Sequence, residues 1–229
     1  MNQLEKFGHK IFFLLVENFP QSFFVGGMVR DSLLGRKITD IDIATSARPQ
    51  EVAFLLREHQ IIYDEAYAAF GVIVARQESY AVEIASFRKE AYGSSRYPKI
   101  SYTKEVKADA ARRDFTVNAL YLQPKSNKIL DYFGGQKDIK NQLVRFIGNP
   151  KKRIQEDPLR IIRALRFCLQ LNFKLEQKTK LAIKNNFNLI KTLTNSKLEK
   201  EIRKLKNKKQ ETILQKVINR PLALDKYFK

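Results

Sequence analysis

The stretch GGMVRDSLLGRKITDIDIAT, residues 26–45, places two glycines, an arginine and two closely spaced aspartates in one run of a chain whose formal net charge is +19. Its second half, ITDIDIAT, alternates apolar and acidic residues, which is the period of a strand with two unlike faces. Asp40 and Asp42 then leave the same face about 7 Å apart, at roughly 3.3 Å per residue. Ile41 and Ile43 point the other way, into a core that holds the pair rigidly. The first half follows a short buried strand, SFFVGG, which ends in a glycine turn, and continues as a short helix, MVRDSLLG, closed by Gly35.

Two carboxylates so placed can share hard divalent cations. Mg2+ suits them, because it takes oxygen ligands and keeps places for phosphate oxygens and water. An Asp-x-Asp pair alone is a weak signal, since acidic pairs on solvated strand faces are common. The residues before it strengthen it. Gly26 and Gly27 let the backbone turn with its amides exposed, and such turns bind phosphate. Arg30 is spaced to clamp a phosphate bidentately. Together these features read as a nucleoside triphosphate site; the plainer alternative is a strand turn in which Arg30 pairs with Asp31 on the surface.

The rest of the chain supplies the setting. Its 229 residues are enough for one or two domains with a real core, and 44% are hydrophobic. The apolar run IFFLLV, residues 11–16, is far too short to span a bilayer, so an unexported, cytoplasmic protein without membrane attachment is expected. A single cysteine, Cys168, forms no internal disulfide and reads as core filling. His9 and His59 stand apart from any cluster, which gives no support to a histidine metal site. Charge is unevenly spread. Residues 151–229 hold 22 Lys and Arg against 7 Asp and Glu, leaving 21 against 17 for residues 1–150. A near-neutral part that does chemistry beside a cationic part that holds a polyanion fits this asymmetry; lysine-rich solvated helices are the bland alternative.

Periodicity predicts a helix over 2–18, stopping before Pro20, and another across RPQEVAFLLREH. GVIVAR and YAVEIASF read as strands, and ALYLQP with KILDYFGG as a hairpin-like pair. After DYFGGQKDI the β signals stop, and helices are expected from Asp157, over 177–187 and over 196–218. The chain is therefore α+β, with a change of structural class near residue 140: a mixed part over 1–140 and an all-helical, basic part over 141–229.

Two further clusters carry chemistry. In RRDFTVNAL, Arg112 and Arg113 beside Asp114 can serve phosphate and sugar together, and Asn118 can order the turn; a surface salt-bridge cluster is the alternative. In RIQEDPLRIIRALRF, Arg160, Arg163 and Arg166 recur every third residue and predict a cationic ridge along one helix. Asp157 and Arg160 combine an acceptor with a multi-donor fork that can meet the Watson–Crick edge of a base. Asp157 serves equally well as a helix N-cap.

With these clusters in this order, the chain resembles the class II tRNA nucleotidyltransferase family, which contains CCA-adding enzymes and bacterial poly(A) polymerases. The matching segments are GGMVRDSLLGRKITDIDIATSARPQEV, DAARRDFTVNALYL, LDYFGG and RFIGNPKKRIQEDPLRIIRALRF, and the likeness covers roughly residues 20–205. It implies a nucleotidyltransferase head with a mixed β-sheet and flanking helices over 1–140, and a helical neck over 141–229. It implies Asp40 and Asp42 as catalytic Mg2+ ligands, Gly27 and Arg30 near the triphosphate, and Arg112, Arg113, Asp114 and Asn118 near phosphate and ribose. Asp157 and Arg160 would read the incoming base, with Arg163 and Arg166 on phosphates. The activity implied is addition of C and A from CTP and ATP to the 3′ end of tRNA; addition of A alone to RNA ends is the alternative within the family, and a non-catalytic RNA-binding protein is a third reading. Glu83 is a weaker candidate for a third carboxylate. Residues 88–111 are similar to the family's flexible loop, which argues for A addition as well as C. Relatives continue into body and tail domains, which leaves three alternatives for the grip on tRNA: the cationic neck binds RNA by itself, an oligomer or a partner protein supplies the rest, or the sequence is a piece of a longer chain.

Overall fold

A computed structural model describes residues 1–93 and 98–228. The chain opens with helix α1 (Gln3–Asn18), started by a reciprocal cap: the Asn2 side chain accepts the Glu5 amide and Glu5 accepts the Asn2 amide, both at 2.9 Å. Its buried stripe is Phe7, Ile11, Phe12 and Leu15. There follow β1 (Ser22–Val25), α2 (Gly27–Leu33), β2 (Ile41–Thr45) and α3 (Pro49–Glu58), the last with proline in its first turn. Then come β3 (Ile62–Asp64), β4 (Val72–Gln77), β5 (Tyr80–Ser86), β6 (Arg88–Ala91), β7 (Lys99–Tyr102), α4 (Val106–Arg112), β8 (Leu120–Gln123) and β9 (Lys128–Asp131).

Seven strands form one sheet in the order β3-β4-β5-β2-β1-β8-β9, mixed because β2 and β5 run parallel and the other neighbours antiparallel. In this register Asp42 of β2 stands opposite Glu83 of β5 and Val25 of β1. Ile41 and Ile43 are fully buried on the other face. There α1 crosses β2 so closely that a Cβ on Gly8 would collide with the Ile41 side chain, which is why glycine is needed inside an otherwise regular helix. The strand that carries Asp42 is thus anchored from behind.

The second compact unit consists of residues 114–117 and 134–228. It contains α5 (Gly135–Lys140), β10 (Leu143–Val144), α6 (Pro150–Glu156), α7 (Leu159–Leu171), β11 (Lys174–Leu175), α8 (Gln177–Asn186), α9 (Asn195–Ile202), α10 (Lys208–Asn219) and α11 (Leu224–Tyr227). Phe115 stacks on Phe146 at 5.0 Å and meets Phe167 edge-on at 5.4 Å in its core. Cys168 is buried and burial pushes its thiol pKa up, as core filling requires.

Several sequence expectations change. The β signals do not stop outright, because β10 and β11 form a short parallel pair. The helix expected over 196–218 is two, α9 and α10, broken across 203–207. The stretch 88–111, likened above to the family's flexible loop, contains the antiparallel strands β6 and β7 and most of α4; its part over 94–97 lies outside the described residues. No helix among the described residues is long and apolar enough to cross a membrane.

Candidate functional site

The carboxylates come first. Asp40, exposed, immediately precedes β2, and Asp42 lies on it, partly covered. Glu83, exposed, is the cross-strand neighbour of Asp42 on the same face. The Asp42 carboxyl is pushed up to about 6: burial is the largest cause, and the negative charges of Glu83 and Asp40 add to it, while Arg113 and Arg30 oppose. Among the described residues no group of three or more His, Cys, Asp or Glu forms a ready-made metal cage. Mg2+ needs only one or two protein carboxylates plus substrate oxygens, so a complete protein cage is not required of this site. The donor set is all oxygen and net negative, so it fits a hard divalent cation.

Beside the carboxylates runs the glycine turn. Gly26 has φ +70°, and a Cβ there would lie 3.2 Å from Asp42 Oδ2 and 3.7 Å from Arg113 Nη1, so a side chain would wedge between carboxylate and guanidinium. Gly27 begins α2. Arg30 is buried and does not project as an open clamp: its Nε and Nη2 donate to Asp31 at 3.0 and 2.7 Å, and its Nη1 donates to Asn118 at 2.5 Å. The Arg30–Asp31 pair is therefore real but not a surface one. Asn118, in a 3-10 turn over Thr116–Asn118, receives that guanidinium through its side-chain oxygen.

The arginines of RRD are organised by a residue the sequence reading passed over. Asp109 is fully buried. It accepts Arg112 Nε at 2.8 Å, Arg113 Nη2 at 3.3 Å, the Tyr121 hydroxyl at 2.6 Å and the Arg88 amide at 3.1 Å. Burial works against its charge, yet Arg113 and Arg112, with the Tyr121 hydroxyl, keep its pKa below the usual carboxylate value. Tyr121 also receives Arg113 Nε at 2.8 Å. Glu90 on β6 accepts Arg88 Nη2 at 2.9 Å and Arg112 Nη1 at 3.3 Å. The signal for Asp109 was available: in DAARRD it stands three residues before Arg112 on one helix, the spacing at which side chains meet, and four before Arg113, the residue that ends the helix.

Asp114 does not join Arg112 and Arg113; it belongs to the second unit. It receives Arg160 Nε at 2.8 Å and pairs with Arg163 Nη1 at 2.7 Å and, at 3.9 Å, with Arg153. Burial opposes its charge, but Arg163 and Arg160 hold its pKa low. Glu156 completes the network, accepting Arg153 Nη1 at 2.8 Å and Arg160 Nη1 at 2.7 Å. Asp157 accepts the Leu159 amide at 3.2 Å and so ties the start of α7. Arg166 is buried against Glu201 of α9 at 2.8 Å and Gln170 at 2.7 Å. Arg160 and Arg166 are thus buried, and the expected cationic ridge is largely an internal ion-pair network that Arg163 borders.

Residues 22–145 match the model of the poly A polymerase head domain family. The chain belongs to that family. The CCA-adding enzyme of Ligilactobacillus salivarius (strain UCC118) is 39% identical over 218 residues, covering 90% of this chain and 52% of the relative. That of Enterococcus faecalis (strain ATCC 700802 / V583) is 42% identical over 165 residues, 71% of this chain and 39% of the relative. Among solved structures, the Bacillus stearothermophilus CCA-adding enzyme in complex with CTP superposes with a TM-score of 0.78 at 32% identity, covering 88% of this chain and 48% of that one. A tRNA nucleotidyltransferase complexed with a primer tRNA and an incoming ATP analog gives 0.71 at 29% identity, covering 91% and 59%. The chain spans about half the length of the curated relatives it matches. The mixed sheet with its flanking helices matches the nucleotidyltransferase head of such enzymes, and helices follow it.

Proposed function

We propose that the protein is a template-independent RNA nucleotidyltransferase that adds C and A from CTP and ATP to the 3′ end of tRNA, working in the cytoplasm. The observation that carries this reading is that Asp42, Glu83 and Asp40 share their surroundings with the Gly26 turn and Arg113. An acidic cluster beside a cation-lined backbone turn suits a nucleoside triphosphate with its divalent counter-ion. The names of the relatives support the same substrates.

In this scheme Asp40 and Asp42 hold Mg2+, which when bound neutralises phosphate charge and polarises the reacting oxygens. The amides of Gly26 and Gly27 and the guanidinium of Arg113 meet the triphosphate; Arg30 and Asn118 fix that turn from below, and Asp109 aims Arg112 and Arg113. The 3′ oxygen of the RNA attacks the α-phosphorus, a new P–O bond forms, and pyrophosphate leaves with the electron pair of the broken bond. Glu83 stands ready to accept the hydroxyl proton. Residues 1–140 act as the catalytic head and 141–229 as the neck, where Asp157 and Arg160 select the base. The Asp114–Glu156 clamp fixes the plane of the Arg160 guanidinium for that task, Arg163 assists on phosphate, and Arg166 keeps α7 in register with α9.

The test is to incubate the protein with tRNA lacking CCA, tRNA lacking only the final A, and oligo(A), with CTP and ATP separately and together, and to sequence the products. Restored CCA ends support the reading. Long A tails without C would make it an A-adding enzyme, and no incorporation on any substrate would refute it.

A further inference from the structure

We propose that helix α3 carries a self-association surface, through which two copies of this chain pack antiparallel about a two-fold axis beside Phe54. The exposed stripe of α3 is Gln50, Glu51, Phe54, Arg57 and Glu58, while Val52, Ala53, Leu55 and Leu56 face the core. Phe54 sits in the middle of this ten-residue helix and is 55% exposed. A lone exposed phenylalanine needs no explanation, but this one stands between two grooves. One, of about 400 Å3, is lined by Phe19, Phe54 and Leu55 together with Asn18, Gln50 and Glu51. The other, of about 210 Å3, runs from Phe54 and Arg57 to Tyr63 and Ile73. A cavity of about 150 Å3 accommodates benzene, so either groove has room for an aromatic ring from another molecule. The surface also lies away from the chemistry. Ile73 stands opposite Ile84 and Tyr63 opposite Ala75, positions that alternate with Glu83 and Val74. Helix α3 therefore packs on the sheet face opposite Asp42, as α1 does over Ile41. Two copies joined there keep the faces that carry Asp42 turned away from the contact.

Charge decides the occupant. Residues 48–65 hold two arginines and no lysine against four Asp and Glu, in a chain of net charge +19. A nucleic acid gains nothing on such a patch, whereas two strongly cationic chains can meet there without the repulsion their net charge imposes elsewhere. The order of the charges selects a second copy. Glu51 and Arg57 stand three residues before and three after Phe54, and Gln50 and Glu58 stand four before and four after. At roughly 1.5 Å per residue, the members of each pair are equally far from Phe54 along the helix axis, about 4.5 and 6 Å. An antiparallel copy centred on Phe54 thus sets Glu51 against the partner's Arg57 and Gln50 against the partner's Glu58. A parallel copy would set like charges against each other. Such self-complementarity is what an isologous two-fold contact requires. Arg57 already lies over the Phe54 ring at 5.7 Å, which keeps it in the stripe. The stripe and its groove walls are fewer than the roughly 20–30 residues a side of a standard interface, so the dimer is weak, with a dissociation constant on the order of 10–100 μM.

Sedimentation equilibrium on the full chain, loaded from about 5 to 500 μM at about 0.15 M ionic strength, reads the association. Wild type is expected to show a monomer–dimer equilibrium. Phe54→Asp, Arg57→Glu and Glu51→Arg should each weaken it by about tenfold or more, because every substitution occurs twice across the axis. Glu51 also accepts the Arg48 amide at 2.6 Å, so Arg57→Glu is the cleaner single change. Glu51→Arg and Arg57→Glu in one chain should restore the dimer to within about threefold of wild type, which a general loss of helix stability would not do. Unchanged thermal melting identifies variants that fold as wild type. Mild oxidation of the double variant Gln50→Cys, Glu58→Cys is expected to give a covalent dimer; the two positions lie about 12 Å apart on one helix, too far for a bond within a chain, and neither single variant should cross-link. Cys168 is buried and does not compete. A wild type that stays monomeric throughout, which is also the result if this surface docks a different protein, overturns the proposal. So does a dimer indifferent to Phe54→Asp and Arg57→Glu, a charge exchange that remains as weak as its single changes, or cross-linking by a single cysteine as efficient as by the pair. None of these readouts requires nucleotide addition, so the dimer and the nucleotidyltransferase reading stand or fall separately.

Discussion

Replacing Asp42 by asparagine should make the metal-free protein more stable while abolishing nucleotide addition. The reasoning is one of linkage. The Asp42 carboxyl is raised from 3.8 to about 6, so the native state binds its proton more tightly than the unfolded chain does. The stabilisation from that proton is fully present below about pH 4 and is lost as pH rises through about 6, above which native Asp42 carries its unfavourable charge. A shift of this size corresponds to at most about 3 kcal/mol, and because the side chain is partly exposed, about 1–2 kcal/mol is the working figure. Asparagine keeps the shape and never ionises. In EDTA at pH 8, Asp42→Asn should therefore melt higher than wild type, by about 2–4 °C per kcal/mol for a chain of this length. The gap should close as pH falls from 6 towards 4. Adding Mg2+ at pH 8 should stabilise wild type by linkage and leave the variant nearly unmoved. Differential scanning calorimetry over pH 4 to 8, with and without Mg2+, reads all three. A variant that melts lower than wild type at pH 8 in EDTA, or a gap that does not depend on pH, would refute the idea that an unfavourable Asp42 charge, set by burial first and by Glu83 and Asp40 next, is held in this site for a cation.

Asp40→Ala and Asp42→Ala should each abolish incorporation while RNA affinity, measured by fluorescence anisotropy, stays within about twofold; retained turnover in either removes the metal assignment. Asp109→Asn leaves Arg112 and Arg113 without their buried anion and should cost about 3–5 kcal/mol in urea unfolding, with the KM for nucleotide raised in whatever protein remains folded. Asp157→Ala should blur the choice between C and A, read as misincorporation from CTP and ATP mixtures, while costing about 1 kcal/mol as a lost helix-start bond; unaltered selection would reduce Asp157 to a cap. Glu201→Gln should destabilise through its broken pair with Arg166 and leave nucleotide KM unchanged, whereas a raised KM would show that Arg166 also meets phosphate.

The central sheet was largely legible because its signals are local. SFFV, IDIAT, VIVARQ and YAVEIAS are runs whose length and β-branched content leave little choice, and the LYLQ–KILD hairpin declares itself by the turn between them. What was missed has weak local signal. β3 has three residues and is held by pairing with β4; β10 and β11 have two each and exist only because they pair with one another. The break at 203–207 carries neither proline nor glycine. There the chain turns so that Leu205 is buried while Ile202 stays on the core side, a decision made by tertiary packing, to which helical periodicity is blind.

The site was legible as a set of residue types and misleading as a set of partnerships. RRD looks like one cluster because three charged residues are adjacent, but the backbone leaves α4 after Arg112, and Arg113 has extended dihedrals, φ −65° and ψ 158°. One residue of extended chain is enough to send Asp114 to Arg160 and Arg163 while Arg112 and Arg113 stay with Asp109. A charged residue in a sequence advertises its own charge and not its counter-ion, and in a buried setting the counter-ion decides what the group can do. Arg30 with Asp31 and Asn118, and Arg166 with Glu201, are arginines whose charge is already spoken for and whose work is positional. Asp42 is the opposite case: burial first, and then Glu83 and Asp40, raise its pKa against Arg113 and Arg30, so its charge is not balanced by its neighbours, which is the condition the proposed cation site requires.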